Sequence, residues 1–378
     1  MAASLKVARL FGIPIYIHFS LLLILPLFAV IFALFSSPDF FYFRLNYASL
    51  PLDDVSKLLW GVVAAVIFFI SILLHELAHS YVGIHRGYKI SGITLFILGG
   101  VSQIEEMPEH APGEALMAFI GPATSMVIGA ILSPIAIFIG YSSSSVLVNA
   151  IAITISITGF YNLLLGAFNL VPAFPMDGGR VLRAELAKRE NFLKATEQAA
   201  AIGKYLAIAM AIIGLFYNIW FIFIAIFIYM GADEELRVTR ITESLRGYKV
   251  RDLMTKQVMT INIDASVEDL MQRMMAERHA GMPVLENGQP IGMAYLDDVL
   301  RIREAERPTT KVRQIVRRGV VTVAPGEDAS EALKMMLSKQ ARRALVMDGS
   351  NLVGILSQTD LGRTVDIMMA KERAPRQR

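Results

Sequence analysis

Residues 58–82 read LLWGVVAAVIFFISILLHELAHSYV, and the first seventeen of them carry no charge. About 20 apolar residues suffice for a helix to cross the hydrocarbon core of a bilayer. The run ends in His75, Glu76 and His79, three ionisable groups at a depth where such groups are costly unless a site uses them. Four residues on a helix turn through about 400°, so both imidazoles leave one face about 6 Å apart and can share a metal ion. HExxH at this spacing suits zinc, with Glu76 beside the histidines to take a proton from water at the metal. The competing reading is a helix end at the interface, where His and Glu simply meet water.

The composition agrees with a membrane location. The chain has 378 residues, 54% hydrophobic and 18% charged, against about 25% charged in soluble domains. This excludes a disordered chain and argues against a wholly soluble one. Lys plus Arg number 36 against 33 Asp plus Glu, a net charge of +3, too little to argue for nucleic acid as a partner. There is no cysteine, which excludes disulfides, thiolate chemistry and Cys-ligated zinc. A metal site must therefore be built from His, Asp, Glu or backbone oxygen.

Apolar runs at 18–35, 58–82, 115–140, 146–170 and 199–230 predict about six crossings, the last run being split near Tyr217 and Asn218. Positive charge sets their direction. Lys6 and Arg9 precede the first span, Arg86 and Lys89 follow the second, and Arg180, Arg183, Lys188, Arg189, Lys194 and Lys204 lie between the fourth and fifth. The opposite side holds only Arg44 and Lys57, both in the loop 36–57. Both termini and everything after the last span are therefore expected in the cytoplasm, with the chain multi-pass in the cell membrane. The N-terminal apolar stretch has no clear small-x-small cleavage site and reads as a retained helix. Residues 90–104, ISGITLFILGGVSQI, are short, β-branched and broken by glycine. They read as a strand pair buried against protein or lining a cavity, because exposed strand edges are not tolerated in lipid.

Two histidines leave a zinc site incomplete. The best third ligand is Asp177, in FNLVPAFPMDGGR at 168–180. Pro172 and Pro175 unwind the fourth helix there, and such backbone is tolerated at membrane depth only beside protein or a wet cavity. The alternative for Asp177 is a cap on the next helix, expected at 180–193.

At these residues the sequence resembles the site-2 protease family of intramembrane zinc metalloproteases. HELAH in the second span and FNLVPAFPMDGGR after the fourth carry the resemblance, with FGIPI at 11–15, GGVS at 99–102, and Gly121 with Pro122 in the third span. It covers most of 10–235. It implies one Zn²⁺ per chain held by His75, His79 and Asp177, Glu76 as catalytic base, and Asn169 near the metal. Asn169 is then a candidate oxyanion donor or a helix–helix hydrogen bond, and Asn162 is assigned to packing. The family commonly has a polar residue soon after Gly121 and Pro122; Thr124 and Ser125 stand there, a matter of packing detail. Implied substrates are membrane-spanning protein segments. Such a segment must be held extended to expose its peptide bond, and 90–104 offers either an edge strand for that or a purely structural hairpin.

The polar half repeats internally at a spacing of 62: Val250 with Val312, Thr260 with Thr322, Pro283 with Leu345, Gly292 with Gly354, Asp298 with Asp360. Leu270 pairs with Leu333 instead, which implies an insertion later compensated. Each unit reads strand, amphipathic helix, strand, turn, strand, helix, with one apolar face that needs a partner. This resembles a tandem pair of CBS domains over about 248–368. The resemblance implies adenine nucleotide (ATP or AMP) in the cleft between repeats, with an Asp three residues after a Ser or Thr on the ribose. Ser357 and Asp360 fit; Tyr295 stands where the hydroxyl before Asp298 would be, so one site is in doubt. Pairing into a homodimer without any ligand is the alternative use of the module.

The fold expected is thus a polytopic α-helical membrane protein plus a soluble α+β tandem CBS pair. The divisions are 1–235, a charged linker 236–247 that continues as a solvated helix, 248–368, and a basic tail 369–378. The function expected is hydrolysis of peptide bonds in transmembrane proteins, modulated by nucleotide and in contact with membrane lipid. A CBS-regulated channel or transporter is the alternative, disfavoured because the spans other than the second carry almost no interior charge.

Overall fold

The computed structural model describes residues 4–34, 43–96, 99–106, 113–141 and 143–373. Residues 36–42 of the loop 36–57, and 374–378 of the basic tail, lie outside the described residues. The chain divides into two units, Met1–Arg237 and Val238–Arg378.

The first unit opens with two strands, β1 (Ser4–Leu10) and β2 (Ile13–His18), followed by helices α1 (Phe19–Leu34) and α2 (Asp54–His85). A hairpin of β3 (Lys89–Phe96) and β4 (Gly99–Glu106) comes next, then α3 (Glu114–Ile139), α4 (Val146–Asn169), α5 (Asp177–Leu186), α6 (Phe192–Phe216) and α7 (Ile219–Ser244). Four of these helices, α2, α3, α4 and α6, are long and apolar enough to cross a membrane. α1 is apolar but shorter, at 16 residues with Pro26 inside it. α7 starts just after the expected break at Tyr217 and Asn218, and runs on through Asp233, Glu234 and Glu235 to Ser244.

Two of these helices, α2 and α6, start at a side-chain cap. Asp53 caps α2 by accepting from the Ser56 amide at 3.1 Å. The single helix expected over 180–193 is instead interrupted after Leu186, because Asn191 accepts from the Lys194 amide at 2.8 Å and starts α6.

Residues 4–18, read from sequence as flanking charge, the FGIPI stretch of the resemblance and the start of a span, pair with the expected hairpin in a four-stranded sheet ordered β1-β2-β3-β4. β2 and β3 run parallel, with Ile15 opposite Ile93. Ile13 and Ile93 bury against Leu77 of α2, which lays the sheet beside the turn of α2 that carries the histidines. The other side of α2 packs on α1 and α4 through Phe32, Tyr47, Ala64, Ala65, Ile153 and Ile157.

The second unit contains α8 (Val250–Leu253), β5 (Ile261–Asn262), α9 (Val267–Ala276), β6 (Gly281–Glu286), β7 (Gln289–Tyr295) and α10 (Leu296–Leu300). It repeats with β8 (Thr322–Val323), α11 (Ala329–Ser338), β9 (Arg343–Asp348), β10 (Asn351–Ser357) and α12 (Gln358–Arg373). Each repeat forms a three-stranded sheet, β5-β6-β7 and β8-β9-β10. α9 and α11, β6 and β9, and β7 and β10 all stand 62 residues apart. The insertion inferred from Leu270 and Leu333 is therefore absent. Ala332 is the counterpart of Leu270, and both are fully buried. Leu333 is buried as well because the neighbouring helical position, about 100° round, still faces the sheet.

Candidate metal centre

The residues singled out in the first unit converge. His75 and His79 lie one turn apart on α2, with ring centroids 4.8 Å apart. α4 ends at Asn169, the chain turns through the two prolines, and α5 begins at Asp177. Asp177 makes no capping hydrogen bond: the cap position is Met176. The carboxylate turns instead to the histidines. Asp177 Oδ2 lies 3.3 Å from His75 Nε2 and 3.1 Å from His79 Nε2, and the two Nε2 atoms are 3.1 Å apart. A tetrahedral site with bonds of about 2.0–2.1 Å has ligand–ligand edges of about 3.3 Å.

Proton placement makes the case for a cation stronger. His79 Nδ1 donates to the Met117 carbonyl at 2.6 Å. A carbonyl only accepts, so in the neutral imidazole His79 Nε2 bears a lone pair. That lone pair faces a carboxylate oxygen, another acceptor. His75 Nδ1 is held by Ser125 Oγ at 3.0 Å, which orients its ring as well. His79 Nε2 and Asp177 Oδ2 are thus two acceptors 3.1 Å apart, a repulsive contact that a cation between them relieves. The donor set therefore fits zinc, which takes imidazole nitrogen and carboxylate oxygen. Among the described residues, His75, His79 and Asp177 are the group of His and acidic side chains whose ligand atoms could hold a metal ion.

The neighbouring elements leave no slack. A Cβ on Gly121 would overlap the His79 ring, so α3 reaches α2 this closely only with glycine there. Glu76 is met by β4: a Cβ on Gly100 would overlap its Cγ, and Ser102 Oγ donates to its Oε2 at 2.9 Å. Asn169 donates to Leu165 O of its own helix at 3.0 Å, so this donor is committed locally rather than to another helix. Asn162 is fully buried and donates to Ser71 Oγ at 2.9 Å, linking α4 to α2 as a packing residue. His75, Glu76, His79, Gly100, Ser102, Asn169 and Asp177 line one cavity of about 1180 Å³ and share its wall with phenylalanines such as Phe28, Phe68 and Phe227.

Two features escaped sequence reasoning. Ser125, read as packing detail, orients the His75 ring. Arg183, read as a topology charge, is 6% exposed and clamps α5. It donates to Glu114 of α3 and, at 2.6 Å, to Glu235 of α7, while lying between the Phe174 and Phe192 rings. The signal available was the unusual company of an arginine in a helix beginning Asp-Gly-Gly; its acidic partners are too distant in the chain to suggest themselves.

In the second unit the three nucleotide candidates separate. Asp298 is buried and accepts two hydrogen bonds from Arg317, at 2.6 and 2.7 Å. Arg317 also covers the Tyr295 ring at 5.2 Å. Ser357 is buried at the end of β10, and Asp360 is exposed in the first turn of α12 with no ion pair among the described residues.

The family model for peptidase family M50 matches residues 63–214, and that for the CBS domain matches 250–305 and 312–365. A zinc metalloprotease of Methanocaldococcus jannaschii is 33% identical over 373 residues, 98% of this chain and 99% of its own. The protein Rip3 of Mycobacterium tuberculosis is 31% identical over 389 aligned positions, covering 99% of this chain and 96% of its own. Among solved structures, a site-2 protease from M. jannaschii is 34% identical, covering 62% of this chain and 95% of its own, with a TM-score of 0.40.

Proposed function

Because this chain belongs to peptidase family M50, the site-2 protease family of zinc metalloproteases, and carries a tandem CBS pair, we propose that it cleaves membrane-spanning protein segments at the cluster of His75, His79 and Asp177. The observation that carries this reading is the triangle of three ligand atoms with 3.1–3.3 Å edges, set in the wall of a cavity among apolar helices. The channel or transporter alternative falls with the family membership.

His75, His79 and Asp177 hold the metal, with Ser125 and the Met117 carbonyl fixing the two rings. Zinc bound there supplies a Lewis acid that acidifies water and polarises the scissile carbonyl. Glu76 takes the proton from the attacking water and passes it to the leaving amine. Asn169 lines the cavity with its second amide proton not engaged by Leu165, which supports it as a donor to the carbonyl oxygen as charge develops there. A substrate segment, once unwound, adds to the outer edge of β4, which has no strand partner among the described residues.

Positive charge beside the first, second and fourth spans supports placing both termini and the CBS pair in the cytoplasm. There, adenine nucleotide bound at Ser357 and Asp360 modulates proteolysis, and the CBS pair joins two chains into a homodimer. Modulation requires the nucleotide to favour one of two arrangements of the pair.

Glu76→Gln tests the core of this reading. The substitution keeps the shape and removes the proton acceptor. Zinc content should stay near one per chain, and cleavage of a transmembrane substrate should fall by several orders of magnitude. Residual cleavage above about a tenth of wild type would sink the assignment of the base.

A further inference from the structure

We infer that Ser102 is the positioning residue for Glu76, so that the base is set by strand β4 rather than by its own helix; this rests on the reading of Glu76 as the base. Glu76 has a long side chain that leaves α2 for a cavity walled largely by apolar groups. Its helix alone allows several rotamers. Two residues of β4 remove that freedom. Gly100 lies against Cγ so closely that a Cβ there would overlap it, and Ser102 donates to Oε2 at 2.9 Å. They are two apart on a strand and therefore on one face, the face turned to α2.

The grip continues one step further. Ser80 stands four residues after Glu76, on the same face of α2 and fully buried, and its hydroxyl lies 2.9 Å from Ser102 Oγ. A serine hydroxyl has one proton. Ser102 gives that proton to Glu76, so Ser80 donates to Ser102. The result is a directed chain, Ser80 to Ser102 to Glu76, that ends on one carboxylate oxygen and leaves the other for water. Neither serine hydroxyl is hydrogen-bonded to His75, His79 or Asp177 in this arrangement: His75 is held by Ser125, and His79 by Met117. The chain therefore bears on proton transfer and not on metal binding. β4 is also the strand whose outer edge carries no partner among the described residues. A substrate added to that edge braces the element that holds the base, and the base reaches its working position with the substrate in place.

The full-length enzyme in detergent, with a transmembrane substrate, tests this. Ser102→Ala should lower kcat about tenfold, with KM within about twofold and zinc content unchanged. Ser102→Thr keeps a hydroxyl and should recover most of the loss. Ser80→Ala should lower kcat about threefold. Glu76→Asp withdraws the carboxylate from Ser102 by one methylene, so adding Ser102→Ala to it should have no further effect. Wild-type kcat in Ser102→Ala overturns the proposal, as does loss of zinc together with activity, or an equal loss in the Glu76→Asp background. Should Ser102→Ala fail to fold, Ser80→Ala decides, since unchanged kcat there means that no chain runs to the base. Failure of the underlying reading is seen separately, as full activity in Glu76→Gln.

Discussion

Asp177 in the first unit and Asp298 in the second each stand against two nitrogen atoms, at 3.1 and 3.3 Å in one case and at 2.6 and 2.7 Å in the other. The partners of Asp298 are N–H groups of a guanidinium, which cancel its charge and satisfy its lone pairs. The partners of Asp177 are imidazole nitrogens, and the one on His79 has its proton committed to the opposite side of the ring. One aspartate is complete as it stands. The other faces the lone pair of His79 Nε2 across 3.1 Å, a contact that a cation would relieve. Burial and contact distance do not separate a structural acid from a ligating one; the count of available protons does.

The largest effect that can break this comparison is at Asp177. Asp177→Asn keeps the shape and removes the charge that offsets a divalent ion. Zinc affinity should fall by more than about 100-fold, the upper range for outer-shell partners, and proteolysis with it. Metal analysis after dialysis reads this directly, and a variant that holds zinc and cleaves normally would return Asp177 to a structural role.

Next is the clamp behind Asp177. Arg183→Met leaves Glu114 and Glu235 without their guanidinium, and α5 without its tie to α3 and α7. Breaking a buried ion pair from one side costs about 3–5 kcal/mol. Thermal inactivation should occur at a clearly lower temperature, and zinc should exchange faster with a chelator. Equal inactivation temperatures for the variant and wild type would show that the phenylalanine contacts alone hold α5.

The CBS repeats sharpen the comparison within one unit. Arg317 exchanges backbone hydrogen bonds with Met293 beside the first repeat's sheet; 62 residues earlier, Thr255 exchanges them with Ile355 beside the second. The same position thus carries an arginine that binds Asp298 and, beside the strand that leads to Asp360, a threonine. Asp360→Ala should weaken adenine nucleotide binding by about 1.5–3 kcal/mol, a typical loss for a hydrogen bond to a charged group. Thr255→Arg should weaken it comparably by copying the arrangement that closes the first repeat. Calorimetry on the full chain checks both, and unchanged binding in the two variants would remove Asp360 from the site.

The smallest effect is expected from Arg317→Thr. It frees Asp298, but Tyr295 still stands where a hydroxyl is needed, so the stoichiometry should move from one nucleotide per chain toward two with a weak second site. A stoichiometry still at one would show that Tyr295 alone disables the first repeat.

Much of this was legible before any coordinates. The apolar runs located the helices, proline and glycine located the break before Asp177, and the spacing of 62 located the repeats. The β1–β2 pair was not, because 4–18 is too short and too mixed to stand out beside a span, and becomes a sheet only by pairing β2 with β3. The end of α5 at Leu186 was missed because Asn191 competes locally as a cap. The false insertion between Leu270 and Leu333 came from matching residue type where the structure matches helix position.

By itself the sequence determined whatever depends on neighbours along the chain. Helical geometry alone puts His75 and His79 on one face, hydrophobicity alone puts α2 in the membrane, and duplication alone makes two CBS repeats. Tertiary structure decided what joins residues remote in sequence: Asp177 to His75 across 102 positions, Arg183 to Glu114 across 69, Ser125 to His75 across 50, and Ser102 to Glu76 across 26. The physical reason is that hydrogen bonds and ligand sets are satisfied within about 3 Å. The angles and separations at which helices and strands pack set those distances, and no local pattern encodes them.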